Sequence, residues 1–171
     1  MSDLYISWPE YYDKIERLAV SVHQSGWAFN QLVCIAKGGL RIGDTFARLF
    51  DLPLAVMATS SYRGVGSQST REQIVFSQHL AMTTQTLGSR VLLVDDLVDS
   101  GVTLERSVAW LKHHYTHIEE IRTAVLWYKS CSTAKPDYYV DYLSDDPWIH
   151  QPFERYESMS PADLVRSLEA V

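Results

Sequence analysis

The sequence has few cysteines and no apolar run long enough to cross a membrane. Cys34 and Cys131 are its only cysteines, which excludes a framework of several disulfides. Cys34 lies in an apolar run, so we interpret it as a small core residue. The first ten residues do not have the pattern of a signal peptide. We therefore expect a cytoplasmic protein without an integral membrane association.

Positive charge is also scarce. The chain has 15 lysines and arginines against 21 acids, which gives a formal net charge of −6. This balance argues against a nucleic-acid backbone as a partner. The sequence contains no internal repeat, no low-complexity segment and no linker composition. Its 171 residues are enough for one domain with a sizeable core, so we expect a single domain over residues 1–171.

The most informative stretch joins an apolar run, two adjacent acids, a small-residue turn and a helical pattern. Residues 91–94 are apolar and mostly β-branched or leucine, which predicts a strand buried on both faces. Asp95 and Asp96 follow where this strand is expected to end. The turn at residues 99–103 comes next, and residues 104–111 carry apolar side chains at helical spacing.

This order of elements predicts a site for a sugar phosphate beside a metal ion. A helix that begins after Ser, Gly and Thr offers free backbone N–H groups and the positive end of its dipole to a phosphate. The adjacent carboxylates can accept hydrogen bonds from ribose hydroxyls and can hold Mg²⁺. The structural alternative is a buried strand followed by a solvated acidic turn. We favour the site because all parts occur in one stretch.

The rest of the chain alternates between strand and helix patterns. A helix is predicted over 10–25, a second from the glycine turn to about 50, and a third over about 160–170. Strands are predicted at 31–36, 54–62, 121–128 and 138–143. This alternation predicts an α/β fold with a mostly parallel central sheet flanked by helices.

A second glycine turn, Lys37-Gly38-Gly39, follows the strand at 31–36. Two glycines allow the backbone to approach a ligand closely, and Lys37 adds a positive charge. Ordinary turn chemistry explains this short motif equally well. In a parallel sheet, however, both glycine turns lie at the same edge, so we expect this turn and the turn at 99–103 to form one site.

Residues 63–79 form a long polar segment with two glycines. Such a long connection in a small domain is usually either functional or disordered. We expect a mobile loop that can close over a ligand, with a short hairpin around residues 74–76.

These motifs resemble the type I phosphoribosyltransferase family, and are most similar to its bacterial xanthine-guanine members. The similarity covers about residues 4–154. Its pieces are the Lys37 turn, Ser60-Ser61-Tyr62, the segment 95–103, Lys129, and Trp148 to Pro152. Three features depart from this pattern: Lys37 replaces an arginine, the loop at 63–79 is longer, and the tail from Tyr156 does not match.

The resemblance implies the type I phosphoribosyltransferase fold with a hood segment at about 129–156. It also implies transfer of a 5-phosphoribosyl group from 5-phosphoribosyl 1-pyrophosphate (PRPP) to guanine, xanthine or hypoxanthine in purine salvage, with release of pyrophosphate. The implied cofactor is Mg²⁺, and the implied assembly is a homodimer or homotetramer. The residues implied to bind PRPP are Lys37, Gly38, Asp95, Asp96, Asp99, Ser100, Gly101, Val102 and Thr103.

Several side chains receive individual roles from the resemblance. Asp99 is the expected general base, and Lys37 and Arg71 are expected to stabilise the leaving pyrophosphate. Asp95 and Asp96 are expected to hold the ribose hydroxyls and the metal. The expected contacts to the purine come from Lys129 to its 6-oxygen, from Trp148 or Tyr62 by stacking, and from the backbone at Ile149, while Glu154 is a candidate for a second Mg²⁺.

Less specific interpretations compete with these roles. Trp148 alone could be a core residue, and a lysine at a strand end such as Lys129 is usually solvated. A regulatory protein that binds PRPP or a nucleotide without catalysis is the main functional alternative. A receiver-type signalling domain also places acids at strand ends, but it does not explain why the Asp99-Ser100-Gly101 turn leads into a helix.

Overall fold

The computed structural model describes residues 3–62 and 73–169. Eight strands lie in these ranges: β1 Asp3–Tyr5, β2 Gln31–Ala36, β3 Leu54–Tyr62, β4 Gln73–Phe76, β5 Arg90–Val98, β6 Glu120–Lys129, β7 Tyr138–Leu143 and β8 Trp148–His150. Five helices accompany them: α1 Trp8–Gln24, α2 Leu40–Phe50, α3 Val102–His114, α4 Arg155–Ser158 and α5 Pro161–Glu169. No helix in the described ranges is both long and apolar enough to cross a bilayer.

Six strands form the central sheet in the order β4-β3-β2-β5-β6-β7. All neighbours in this sheet run parallel except the β3–β4 pair, which is antiparallel. The prediction of a mostly parallel sheet with flanking helices is therefore confirmed. The expected hairpin is also present, because Thr59 pairs with Phe76 and Ser61 with Ile74. Residues 63–72 of the predicted loop lie outside the described residues.

The strand order of the sheet reverses direction between β2 and β5. From β2 the chain crosses through α2 to β3 on one side, and from β5 it crosses through α3 to β6 on the other. The two crossovers leave a crevice beyond the carboxyl ends of β2 and β5. In open α/β sheets this is where ligands bind.

Each face of the sheet carries its own apolar core. Helices α1 and α2 cover one face, where Ile15, Leu18 and Phe46 pack against Leu92 and Val94. Helix α1 is fixed at its start by a capping box between Ser7 and Glu10, which satisfies two backbone N–H groups. Helix α3 covers the opposite face through residues such as Leu104 and Leu111. Burial on both faces explains why the central strands are almost continuously apolar.

A small hood stands over the crevice. Strands β1 and β8 pair in parallel, so that Leu4 lies opposite Ile149, and Tyr5 stacks on His150 with 4.3 Å between ring centroids. This pair ties the start of the chain to the segment Trp148–Pro152. Both strands are three residues long, so periodicity alone does not predict them.

The strand at the centre of the sheet is longer than the sequence predicts. Strand β5 continues through Asp95 and Asp96 to Val98, so the expectation that it ends before the acids is wrong. Pairing with β2 stops at Val94, but pairing with β6 continues as far as Val98. The acids therefore lie where β5 still pairs with β6 but no longer pairs with β2.

Candidate active site

A cleft of about 470 Å³ opens at the crevice between β2 and β5. The sheet, the first glycine turn and the hood all contribute to its walls. The lining residues include Lys37, Gly38, Thr59, Asp95, Asp96, Thr103, Gln151, Phe153 and Glu154. The structure thus brings together the two turns that the sequence placed at one sheet edge.

The Asp95 and Asp96 carboxyl groups form a crowded pair in this cleft. Burial raises the pKa of Asp95 well above its ordinary value, and the neighbouring charge of Asp96 raises it further. Burial also raises the pKa of Asp96. The backbone N–H of Asp96 donates to Asp95 Oδ1 at 2.9 Å, which fixes the orientation of the first carboxyl. Such a pair gains most from a cation placed beside it.

The first glycine turn is shaped by this acidic pair. A Cβ atom at Gly38 would lie within 2.6 Å of all three carboxyl atoms of Asp96. A Cβ atom at Gly39 would lie 2.5 Å from the carbonyl oxygen of Val94 and 2.8 Å from that of Ile35. Glycine at position 38 therefore leaves room for the Asp96 carboxyl in the position seen here, and glycine at position 39 leaves room for the neighbouring backbone.

Gln151 links the hood to the acidic pair. Its side chain is buried, with 7% of the residue exposed, and its Nε2 donates to Asp96 Oδ2 at 2.6 Å. Its Oε1 is buried without a hydrogen-bond partner among the described residues. From the sequence, Gln151 is only part of the segment Trp148–Pro152 and has no individual role. The available signal was a glutamine in a short segment that also holds Trp148, Ile149 and Phe153.

This donor set fits a hard cation. The Asp95 and Asp96 carboxylates and the unsatisfied Gln151 Oε1 are all oxygen ligands, which Mg²⁺ prefers. Glu154 lines the same cleft, and burial raises its pKa. These residues could therefore hold Mg²⁺.

The second turn forms a hollow of about 180 Å³ beside the cleft. Its walls include Asp99, Ser100, Gly101 and Thr103. Gly101 precedes α3 with a φ of 88°, and a Cβ atom there would lie 2.6 Å from the backbone nitrogen of Ala134. The hollow therefore faces the amino end of a 13-residue helix, an arrangement suited to a phosphate.

Lys129 and Asp99 come together beside this hollow. Lys129 ends β6, and only 6% of its side chain is exposed, so the solvated alternative is wrong. Its Nζ lies 3.3 Å from Asp99 Oδ1 and 2.9 Å from Asp146 Oδ1. Burial alone lowers the pKa of Lys129, but the two acids outweigh burial and raise it overall. From the sequence alone, Asp146 is expected only to be a turn residue before Pro147.

Trp148 and Ile149, both expected to contact the purine base, differ in exposure and lie outside the two cavities. Trp148 is 59% exposed, so the alternative that it is a core residue is wrong. Ile149 is 4% exposed and packs in the core, which leaves its backbone as the part able to meet a ligand. Neither residue lines the two cavities. The backbone of Tyr62 ends β3, but its side chain and all of Arg71 lie outside the described residues.

Comparisons with known proteins agree with this geometry. A sequence model described as the phosphoribosyl transferase domain matches residues 3–158. The chain is 27% identical to a xanthine-guanine phosphoribosyltransferase of Roseobacter denitrificans, over 88% of this chain and 84% of that protein. It is 27% identical to the xanthine-guanine phosphoribosyltransferase of Gluconobacter oxydans, over 95% and 90% of the two chains.

A solved structure gives the same result at the level of the fold. The purine phosphoribosyltransferase of Pyrococcus horikoshii superposes with a TM-score of 0.72 at 28% identity. The superposition covers 90% of this chain and 94% of the other.

Proposed function

This chain belongs to the phosphoribosyltransferase domain family, and we propose that it transfers the 5-phosphoribosyl group of PRPP to a 6-oxopurine. The products are a nucleoside monophosphate and pyrophosphate, as in purine salvage. The main support for the proposal is that three features lie together at one edge of the sheet. They are the acidic pair, the start of a helix suited to bind a phosphate, and a buried lysine beside Asp99.

The PRPP molecule needs its 5′-phosphate and its ribose fixed. The turn from Asp99 to Thr103 supplies backbone N–H groups and two hydroxyls for the 5′-phosphate. Asp95 and Asp96 can accept hydrogen bonds from the ribose hydroxyls in the adjoining cleft. Holding the sugar in one orientation removes much of the entropic cost of the displacement.

The leaving pyrophosphate needs positive charge. When bound, Mg²⁺ supplies Lewis-acid stabilisation of the negative charge that develops on the pyrophosphate. Asp95, Asp96 and Gln151 are the residues we propose to hold it. Lys37 lines the same cleft beside Gly38, where its ammonium can face the pyrophosphate. The matching role for Arg71 stays a prediction from the sequence.

The purine must lose a ring proton as its nitrogen bonds to C1 of the ribose. We assign that proton to the carboxylate of Asp99, which is exposed at the mouth of the phosphate hollow. Lys129 donates to the purine 6-oxygen, because an ammonium has three donors and no acceptor. Trp148 offers an exposed aromatic face for stacking, and the backbone at Ile149 can meet the edge of the ring.

Two lines of support favour a 6-oxopurine over another acceptor. The relatives named above are xanthine-guanine enzymes, and they match nearly the whole chain. The segment Trp148–Pro152 carries the motif that resembles the purine branch, and its Gln151 contacts Asp96 directly.

One assay tests the proposal against the regulatory alternative. The protein is incubated with PRPP, Mg²⁺ and guanine, xanthine, hypoxanthine or adenine in turn, and pyrophosphate is measured. Release that depends on a 6-oxopurine supports the enzyme. Binding of PRPP with no pyrophosphate from any base would identify a regulator instead.

The assembly of the protein and its location in the cell are also proposals. The exposed apolar side chains of Val165 and Leu168 on α5 are consistent with an assembly, and we propose a homodimer or homotetramer. We keep the cytoplasmic location and the single domain over residues 1–171 as predictions from the sequence. Mass measurement in solution tests the assembly.

A further inference from the structure

The backbone conformation of Asp146 conflicts with the proline that follows it. Its φ is 48°, in the left-handed region that side chains other than glycine rarely adopt. It also precedes Pro147, and a residue before proline prefers an extended backbone. Asp51 is the other described non-glycine residue with positive φ, but it caps the end of α2, where this conformation is common.

The surrounding loop is held against the end of β6. The backbone N–H of Ser130 donates to the carbonyl of Leu143 at 2.9 Å, and the Ser130 hydroxyl donates to the carbonyl of Ser144 at 3.0 Å. These bonds bring Asp146 Oδ1 to 2.9 Å from Lys129 Nζ. A strained residue that is held by its neighbours and faces a site is a candidate for a functional role.

The charges around Lys129 change during the proposed reaction. Asp99 and Asp146 both face its buried ammonium, at 3.3 and 2.9 Å. Asp99 becomes neutral when it accepts the purine proton, while the bond from the purine nitrogen to C1 forms and the bond from C1 to pyrophosphate breaks. The proton then leaves Asp99 for water. During this interval one of the two negative charges beside Lys129 is absent.

We propose that Asp146 is a positioning residue that serves as the permanent counter-ion of Lys129 and holds its ammonium toward the purine 6-oxygen. The proposal rests on the proposed function. Without Asp146, Lys129 would turn fully toward Asp99, which would weaken its contact with the purine. With the second acid present, Asp99 can accept the purine proton while Asp146 keeps Lys129 in place.

Cys131 is the other titratable group in this cluster. Its Sγ lies 3.6 Å from the carbonyl oxygen of Asp99 and 3.7 Å from Asp99 Oδ1. Burial together with the charges of Asp146 and Asp99 raises the pKa of the Cys131 thiol. The thiol is therefore neutral near pH 7 and adds no charge beside Lys129.

The test compares Asp146→Asn with Asp145→Asn in the full chain. Asparagine tolerates the left-handed backbone, so the loop can keep its shape while the negative charge is lost. Asp145 is the matched control, because its carboxylate accepts from Ser144 at 3.3 Å and is not one of the acids paired with Lys129. For Asp146→Asn we expect the KM for guanine to rise about tenfold, since the negative charge that faces Lys129 is lost and only a neutral oxygen remains beside the ammonium.

Two further readouts separate positioning from a general structural effect. The basic limb of the profile of kcat/KM against pH should move to lower pH in Asp146→Asn, because the lysine has lost an acid that raises its pKa. The affinity for PRPP should stay within about twofold of wild type, because Asp146 does not line the PRPP cleft. Asp145→Asn should match wild type in all three measurements.

The possible outcomes are distinguishable. An inactive wild type would remove the proposed function and this role with it. An active wild type, with Asp146→Asn equal to Asp145→Asn in purine KM and pH profile, would overturn the positioning role alone. Asp146→Gly, which suits the backbone, is the second variant should Asp146→Asn not fold. Failure of both to fold would assign Asp146 a structural role and overturn the proposal.

Discussion

Gly38→Ala is the substitution that most cleanly separates binding from folding in this protein. Its backbone does not need the left-handed region, so alanine is not excluded by φ and ψ. The added methyl would lie within 2.6 Å of the whole Asp96 carboxyl group. Either the carboxyl moves or the turn does. Asp96 can rotate its side chain, so the free protein should accommodate the methyl there.

The magnitude follows from the position that Asp96 must occupy. Moving its carboxyl breaks the 2.6 Å hydrogen bond from Gln151 Nε2, a cost to folding of about 1 kcal/mol. Binding of PRPP with Mg²⁺ would require the Asp96 carboxyl to return to its original position. There it would clash with the added methyl group, at a steric cost of about 1–3 kcal/mol. That cost corresponds to a loss of about 5- to 140-fold in PRPP affinity.

Isothermal titration with PRPP and Mg²⁺, together with thermal unfolding, measures both effects. Gly39→Ala is the matched comparison, because its methyl would meet two backbone carbonyl oxygens instead of a side chain. We expect Gly38→Ala to lose affinity with a small change in Tm, and Gly39→Ala to lose several degrees of Tm. Unchanged PRPP affinity in Gly38→Ala would refute the position that we give to Asp96 in the site.

Two other substitutions test the charged groups. Lys129→Met should lower the catalytic efficiency with guanine by about ten- to hundredfold, because the donor to the 6-oxo group is lost, and it should reduce the preference for guanine over adenine. An unchanged ratio of the two catalytic efficiencies would mean that other residues determine the specificity. Asp95→Asn should raise the free energy of unfolding at pH 7 while it abolishes use of PRPP. The pKa of Asp95 is raised on folding, so its contribution to stability falls as pH rises from about 3.8 through the folded value. Denaturant unfolding at pH 7 and near pH 3 measures this, and an equal gain at both pH values would contradict it.

Patterns within one element were predictable from the sequence. The alternation of apolar runs and helical stripes gave the parallel sheet, and β2, β3 and β7 have the predicted bounds. The apolar stripe of α1 was also visible, because residues such as Ile15 and Leu18 recur at helical spacing. These features depend on local periodicity, which a single sequence carries.

Features that depend on distant partners were not predictable. Strand β5 extends through Asp95 and Asp96 because β6 continues to pair with it, and acids give no strand signal of their own. Asp146 looked like a turn residue beside a proline, and only the fold brings it to Lys129. Gln151 likewise gains its contact with Asp96 from the hood, 55 residues away in sequence.

The most direct test of the proposed reaction is the rate at which Asp99→Asn forms a nucleoside monophosphate from guanine, with PRPP affinity measured in parallel. Wild type should make nucleotide and pyrophosphate in equal amounts. The variant should be slower by about 10²- to 10⁴-fold, the usual contribution of a general base, at nearly unchanged PRPP affinity. Wild-type turnover in the variant, or no nucleotide from the wild type, would contradict the role of Asp99 or the reaction itself.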